Sequence, residues 1–428
     1  MEITYRVPLL MVSVFIGLYL ISQLLTINLF LVLLNIVLIF VISVYLITFL
    51  EMRQKKEKVN LNYPSISIVI PNYNSSTTLL GCIKAVKAMH YPKPFEILVV
   101  DDGSTDGSQK ILKGIKGIKV LAKKKNEGKA RALNEGIRMV KGELVACIDA
   151  DTFPEKDVLE KMVAMFADEK TGAVTGFIKV HNPKNILQNI QAIEYTVAFG
   201  LLQKVLSYLN GVFVTPGPMS IYRRKLLIDL GGYDETNLTE DMEIAFRLQN
   251  HGYRIKNCPE ATIPTEVPET LGQLIRQRTR WYRGKFVNSF KYRDMIFNPS
   301  HGQFGMFCLP FSLIVEGIAM ILILSLILVN LESVINYINY LIVWQTYDTN
   351  VWNLIQLTMV TNSALLFQLL TTGLFLFTII ISHFFIKEKL TIPKIFYTLI
   401  FITIYSLFVA GIYFLSFLKE VNKSEYTW

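Results

Sequence analysis

Cysteine is scarce in this chain. Cys82, Cys147, Cys258 and Cys308 lie far apart with no Cys-x-x-Cys spacing, so neither a zinc site nor a disulfide framework is suggested and reduced, inert thiols are expected. The five histidines are equally scattered and offer no metal cluster. No Gly-x-Gly-x-x-Gly follows the first apolar strand and no Walker A loop occurs, which disfavours a dinucleotide fold and a P-loop. Internal repeats, low-complexity tracts and nucleic-acid motifs are also missing. The net charge of +9, most of it between the two apolar ends, therefore suits phosphate-rich ligands and anionic lipid headgroups rather than nucleic acid.

Charge itself is missing from long stretches. From Val7 to Leu50 no residue is charged, enough for two membrane spans of about 20 residues with a turn near Gln23 to Asn28. A cleaved signal peptide fits poorly, because its apolar core would be only about 7–15 residues, followed by a small-residue cleavage site that is not found. A second apolar block supplies three candidate spans around Pro310–Leu331, Leu357–His383 and Ile392–Leu418. With 52% hydrophobic residues and a mean hydropathy of +0.39, the 428-residue chain is too apolar for an ordinary soluble enzyme. Arg53, Lys55, Lys56 and Lys58 follow the second span, Lys387, Lys389 and Lys394 precede the last, and Glu332–Gln356 holds no Lys or Arg. The positive-inside rule then places the central domain in the cytoplasm and that loop outside. Five spans put Lys419 and Lys423 outside, whereas insertion of Ser333–Tyr347 or a broken last segment returns them inside. The expected organisation is two spans over 1–52, a globular domain over 60–285, an interfacial helical region over 286–306 and a C-terminal apolar region over 307–428. Glu316, an acid inside a span, implies a partner or a wet channel.

The central domain alternates in period. Strands over Ser65–Pro71, Phe95–Asp101, Ile118–Leu121 and Leu144–Asp149 interleave with helices over Thr77–Met89, Ser108–Ile115 and Lys129–Val140. This pattern predicts an α/β, doubly wound, mostly parallel sheet, which binds ligands at the carboxyl ends of its strands. Polar motifs fall there: "PNYN" at 71–74, "DDGSTD" at 101–106 and the pair Asp149 and Asp151. Carboxylates two residues apart at a strand end lie on one side of the pleat and need a counter-charge. A Mg²⁺-type ion, held by one or two carboxylates plus substrate phosphates, supplies it. The alternative is a turn in which Asp151 caps the next helix. Likewise "DGS" favours an Asx-type turn, and Thr239 reads as a cap for a helix over Glu240–Asn250.

The motifs in order, "DDGSTD", "NEGKARALNEG", "DAD", "TPGPMSIYRR", "TED" and "QRTRW", resemble those of the membrane-embedded processive glycosyltransferases of family 2. That group contains hyaluronan, chitin, cellulose and poly-N-acetylglucosamine synthases. The likeness covers about residues 65–285 by motif and the flanking spans by layout; Ser75 departs from it, since many relatives carry Glu there. It implies a GT-A-like fold embedded in a helical transmembrane region, a multi-pass cell-membrane location and Mg²⁺ or Mn²⁺ at Asp149 and Asp151. A UDP-sugar would be held by Pro71, Tyr73, Asn74, Asp101, Asp102, Lys129, Asp149, Gln277 and Arg280, with Asp102 at the base. Asp241 becomes the catalytic base with Glu240 shaping its pocket. Gly217, Pro218 and Trp281 become acceptor contacts.

Gln277, Arg280 and Trp281 share a helix face by their spacing. An interfacial belt of Arg276, Arg278, Trp281 and Arg283 is the competing reading of that helix. The expected reaction is inverting β-glycosyl transfer that polymerises a UDP-sugar, best UDP-N-acetylglucosamine, and passes the polysaccharide across the membrane. Membrane lipid and a small accessory membrane subunit are the further partners considered. One rival is a non-processive transferase acting on a lipid or polyprenyl phosphate. Another is a transporter with a nucleotide-binding domain, disfavoured by the low intramembrane polar content.

Overall fold

The computed structural model describes residues 27–52, 63–318, 320 and 363–422. Helix α1 (Ile27–Met52) precedes the sheet domain. Strands β1 (Ile66–Asn72), β2 (Glu96–Asp101), β3 (Lys119–Ala122) and β4 (Leu144–Ile148) alternate with helices α2 (Leu79–Lys87), α3 (Ser108–Lys113) and α4 (Lys129–Met139), close to the expected boundaries. Helix α5 (Val158–Val163) and strand β5 (Thr171–Val180) follow. Helix α6 (Ile186–Tyr195) runs through a wide turn at Thr196–Leu202 into α7 (Gln203–Tyr208). Strand β6 (Met219–Arg223), helices α8 (Arg224–Asp229) and α9 (Glu240–Asn250), strand β7 (Arg254–Thr265) and the long helix α10 (Leu271–Lys291) complete the domain.

The seven strands lie in the order β3-β2-β1-β4-β6-β5-β7. The β1–β2, β1–β4, β2–β3 and β5–β7 pairs are parallel, but β6 is antiparallel to both neighbours, so the sheet is mixed. The reason is local. The turn at Pro216–Pro218 delivers the chain where β4 stops, Asp149 N donating to the Pro218 carbonyl at 3.4 Å. From there β6 can only run back along β4, pairing Met219 with Ile148 and Arg223 with Leu144. The chain reverses direction across the sheet between β1 and β4, the position where open α/β sheets bind ligands.

Among the described residues, two helices are long and apolar enough to cross a membrane: Val32–Met52 and the stretch Ile392–Val421, which joins α13 (Ile392–Ile400) to α14 (Ser406–Val421). Helices α11 (Phe304–Ile318) and α12 (Ser363–Phe385) are apolar too, though the described apolar part of each is shorter. The expected span before Gln23, the basic run at Arg53–Lys58, the loop at Glu332–Gln356 and Lys423 lie outside the described residues. Glu316 has the partner its cost demanded: it pairs with Lys285 of α10 and accepts a hydrogen bond from Tyr413 Oη at 2.6 Å.

Both faces of the sheet are covered. Ile66, Ile68 and Ile70 of β1 join one core layer with α2 and α5, while Val69 joins Leu98, Val100 and Val145 under α4 in the other. Burial on both faces explains the continuous apolar runs of these strands. Helix α4 approaches β1 through Gly136, where an added Cβ would lie 2.5 Å from Val69 Cγ1 and 3.0 Å from Val100 Cγ2. Overpacking at such a contact costs about 1–3 kcal/mol. Gly136→Ala should therefore lower the melting temperature of the purified protein by several degrees, and unchanged melting would show that α4 is not set by this contact.

Candidate functional site

The loops after β1 and β2 are knitted by side chains. Asn72, buried at the end of β1, donates through Nδ2 to Asp101 Oδ1 at 2.7 Å and to Ser104 Oγ at 3.0 Å. Asn74 takes a left-handed conformation with φ of 51°, and its Oδ1 accepts from Thr105 N at 2.8 Å. Asp101 is fully buried, and its Oδ2 has no hydrogen-bond partner among the described residues. Asp102 accepts from the backbone N–H groups of Glu127 at 3.1 Å and Gly128 at 2.8 Å and pairs with Lys123 Nζ at 2.8 Å. It shapes the loop that starts α4. The Asx-type turn of this motif sits at Asp106, which accepts from Ser108 N at 3.0 Å, rather than at Asp102.

At the end of β4, Asp149 Oδ1 meets Lys129 Nζ at 2.5 Å, and the same ammonium lies 3.4 Å from Glu240 Oε1. Burial alone would lower the Lys129 pKa, but the carboxylates of Asp149, Glu240 and Asp241 outweigh it and hold the ammonium well above its usual value. Asp151 lies against the hydroxyls of Thr152 and Thr265, each at 3.4 Å. Burial, then the charge of Asp149, pushes its carboxyl up to about 6. It caps no helix: α5 begins at Val158 after Asp157. Among the described residues no three His, Cys, Asp or Glu side chains form a metal-binding group. Asp149 and Asp151 thus offer two hard oxygen donors and leave the other positions to a ligand, as Mg²⁺ and Mn²⁺ sites shared with phosphate require.

The third wall comes from α9 and α10. Thr239 makes no side-chain cap; its Oγ1 accepts instead from Asn288 Nδ2 of α10 at 3.1 Å. Gly284 allows that approach, since a Cβ there would lie 2.2 Å from Thr239 Oγ1. The Asp241 carbonyl accepts from Thr215 N at 3.1 Å and Oγ1 at 2.7 Å, tying the Pro216–Pro218 turn to the start of α9. Burial, then Glu240, pushes the Asp241 carboxyl up to about 6, against the lowering effect of Lys129 and Arg280.

These walls enclose a cleft of about 690 Å³, within the range of small-molecule sites. Pro71, Tyr73, Asp102, Lys129, Asp149, Asp151, Glu240 and Arg280 line it. Gly217 and Asp241 line an adjoining recess with Lys129 and Asp149. Neither wall includes Asn74, Asp101, Pro218, Gln277 or Trp281.

Two arginines of α10 go against the competing headgroup-belt reading. Arg278 and Arg283 are 1% and 4% exposed, so they are not headgroup anchors. Arg278 pairs with Glu194 at 2.6 Å and lies over the Trp281 ring, while Arg283 pairs with Glu420 at 2.8 Å. The three-residue spacing of Arg278 and Trp281 was the available signal; the acidic partners of Arg278 and Arg283 are far off in sequence. Asn288 and Gly284 carried no signal at all.

Residues 67–231 match the glycosyl transferase family 2 model. The chain is 33% identical over 267 residues to the poly-beta-1,6-N-acetyl-D-glucosamine synthase of Staphylococcus aureus strain COL, covering 61% of this chain and 64% of that protein. It is 35% identical over 223 residues to the Staphylococcus epidermidis protein of that name, covering 51% and 54%. The chain thus spans less than two thirds of the length of the curated relatives it matches. In fold it is similar to the Pyrobaculum calidifontis mannosyltransferase PcManGT in complex with GDP-Man and Mn²⁺, with a TM-score of 0.53 and 19% identity, over 92% of this chain and all of that one.

One glycine tests how tightly the site is assembled. A Cβ on Gly217 would lie 2.6 Å from both Asp149 Oδ2 and Lys129 Nζ. Gly217→Ala should push that ion pair apart and destabilise the protein by about 1–3 kcal/mol, the cost of overpacking at a tight contact. Thermal unfolding would check this, and a wild-type melting temperature would refute it.

Proposed function

Given that residues 67–231 are a family 2 glycosyltransferase domain, we propose that the protein is an inverting, processive β-glycosyltransferase of the cell membrane. It extends a polysaccharide from a UDP-sugar, with UDP-N-acetylglucosamine the favoured donor, and passes the product outward between its own helices. One observation carries this reading: a single cleft at the carboxyl ends of β1, β2 and β4 gathers Lys129, Asp149, Asp151, Glu240 and Arg280, with Asp241 in the adjoining recess. The activity named for the Staphylococcus relatives supports the choice of sugar. Two helices among the described residues, long and apolar enough to span a membrane, support the location.

In this mechanism Asp102 and the loop it shapes seat the base end of the donor, and Lys129 and Arg280 face its diphosphate. Asp149 and Asp151 would hold Mg²⁺ or Mn²⁺, which would supply positive charge against the leaving diphosphate. The acceptor hydroxyl attacks the anomeric carbon from the face opposite UDP, and the bond to UDP breaks with its electron pair leaving on the diphosphate. The hydroxyl proton passes to an Asp241 carboxylate oxygen. Trp281 sets the terminal sugar of the growing chain against that base.

Three measurements test the reading. Purified protein supplied with UDP-N-acetylglucosamine should release UDP and make polymer; a single-sugar product on a sizing column would replace processive synthesis with simple transfer. Excess EDTA should abolish turnover and Mg²⁺ or Mn²⁺ restore it, with Mn²⁺ binding seen directly by electron paramagnetic resonance and lost in Asp151→Asn. Full turnover in EDTA would remove the metal from the scheme.

A base must be ionised to accept a proton, and the Asp241 carboxyl is pushed up to about 6. The sign follows: kcat/KM should be flat above that pH and fall about tenfold per unit below it. Asp241→Asn should keep UDP binding, lose roughly 10²–10⁴-fold in rate and abolish this acid limb. A normal rate in Asp241→Asn would transfer the role to Glu240.

A further inference from the structure

Arg278 is the bulkiest fully buried side chain among the described residues. A cation withdrawn from water this completely needs a matched anion and a reason to be there. The anion is Glu194 of α6: Arg278 Nη2 donates to Glu194 Oε2 at 2.6 Å, and the same oxygen accepts from Tyr405 Oη at 2.8 Å. Nη1 donates to Gln277 Oε1 at 3.2 Å, and Nε is buried with no hydrogen-bond partner among the described residues. A guanidinium placed for hydrogen bonding alone would not strand a donor. Its flat face is spent elsewhere, for its central carbon lies 4.2 Å from the centroid of the Trp281 ring. The ring is half-buried against the core layer beneath the sheet.

We propose that Arg278 is a positioning residue for Trp281, seated by Glu194, so that a buried ion pair between α6 and α10 fixes the ring that supports the acceptor sugar. The inference rests on the acceptor reading of Trp281 given above. Like Trp281, Arg278 lines neither the cleft nor the adjoining recess; it is the more buried of the two and stacks on the ring, so its effect on an acceptor passes through the ring. Arginine suits the task because its plane can stack on an aromatic face while its edge donors hold a carboxylate; a lysine ammonium keeps the charge but loses the plane. Tyr405, on the same Glu194 oxygen, extends the support to the last apolar helical stretch.

The full-length protein, purified from membranes, tests this with Arg278→Lys and with the paired variant Arg278→Met, Glu194→Gln. The first keeps the ion pair and removes the stack; the second removes both charges, leaving neither buried alone. Positioning predicts that both variants bind UDP within about twofold of wild type. Both should shorten the product and lower kcat by about 10–100-fold, the cost of displacing a reacting group by about 1 Å. If wild type adds one sugar only, a raised KM for an added N-acetylglucosamine pentasaccharide replaces product length as the readout. Wild-type product in Arg278→Lys overturns the proposal and leaves the pair a structural tie. Should the paired variant fail to insert, Arg278→Lys decides alone. Trp281→Ala in the same assay separates the two readings: normal product there removes the acceptor role of Trp281, whereas short product there with normal product in Arg278→Lys removes only the positioning role.

Discussion

Four carboxylates crowd one end of the sheet, and much of the architecture follows from keeping them together. Asp149 and Asp151 leave β4, Glu240 and Asp241 begin α9, and among the described residues Lys129 is the one cation in direct contact with the group. Like charges in a partly dry pocket repel strongly. The site answers in two ways: Lys129 bridges Asp149 and Glu240, and Asp151 and Asp241 are pushed towards their neutral forms. Gly217 lets the Pro216–Pro218 turn close over the bridge without adding bulk. The unsatisfied negative charge is what a divalent ion with a nucleoside diphosphate would meet.

The second element is α10, which carries site residues on one side and is bolted to apolar helices on the other. Arg278 reaches Glu194, Arg283 reaches Glu420 and Lys285 reaches Glu316. Asn288 and Gly284 hold the same helix to Thr239, beside the proposed base. A buried charged pair is a poor source of net stability but is strongly destabilising when half removed. Three pairs along one helix, each at least partly buried, fix its rotation and height against its neighbours, so Trp281, Arg280 and the start of α9 keep a common frame. A sliding or rotating α10 would have to break several of these ties together.

The sequence made the strand ends and motif loops legible because doubly buried strands read as uninterrupted apolar runs ending in polar turns. It did not reveal that β6 runs backwards, since the direction of a strand depends on where the preceding turn lands. Thr239 and Asp151 looked like helix caps because caps are local patterns, but distant partners on α10 and β7 took their side chains instead. Arg278 and Arg283 looked like a headgroup belt for a related reason: a basic run beside an apolar segment reads the same whether its charges face lipid or buried acids. Glu194 is 84 positions from Arg278 in the chain, and nothing local announces the pairing.

The proposed reaction also accounts for why the base sits among other acids, a position that would otherwise be costly. As the bond to UDP breaks, the diphosphate gains one negative charge; as the acceptor hydroxyl gives up its proton, Asp241 loses one. The pocket's total charge is therefore unchanged when both events are complete, and little solvent rearrangement is demanded of a partly dry site. A base exposed to water at the rim would gain nothing from this cancellation. Crowding the carboxyls raises the proton affinity of Asp241, but only to about 6, so the group remains mostly ionised near neutral pH while accepting a proton more readily than a free aspartate. The repulsion that the fold must restrain is thus also what tunes the base.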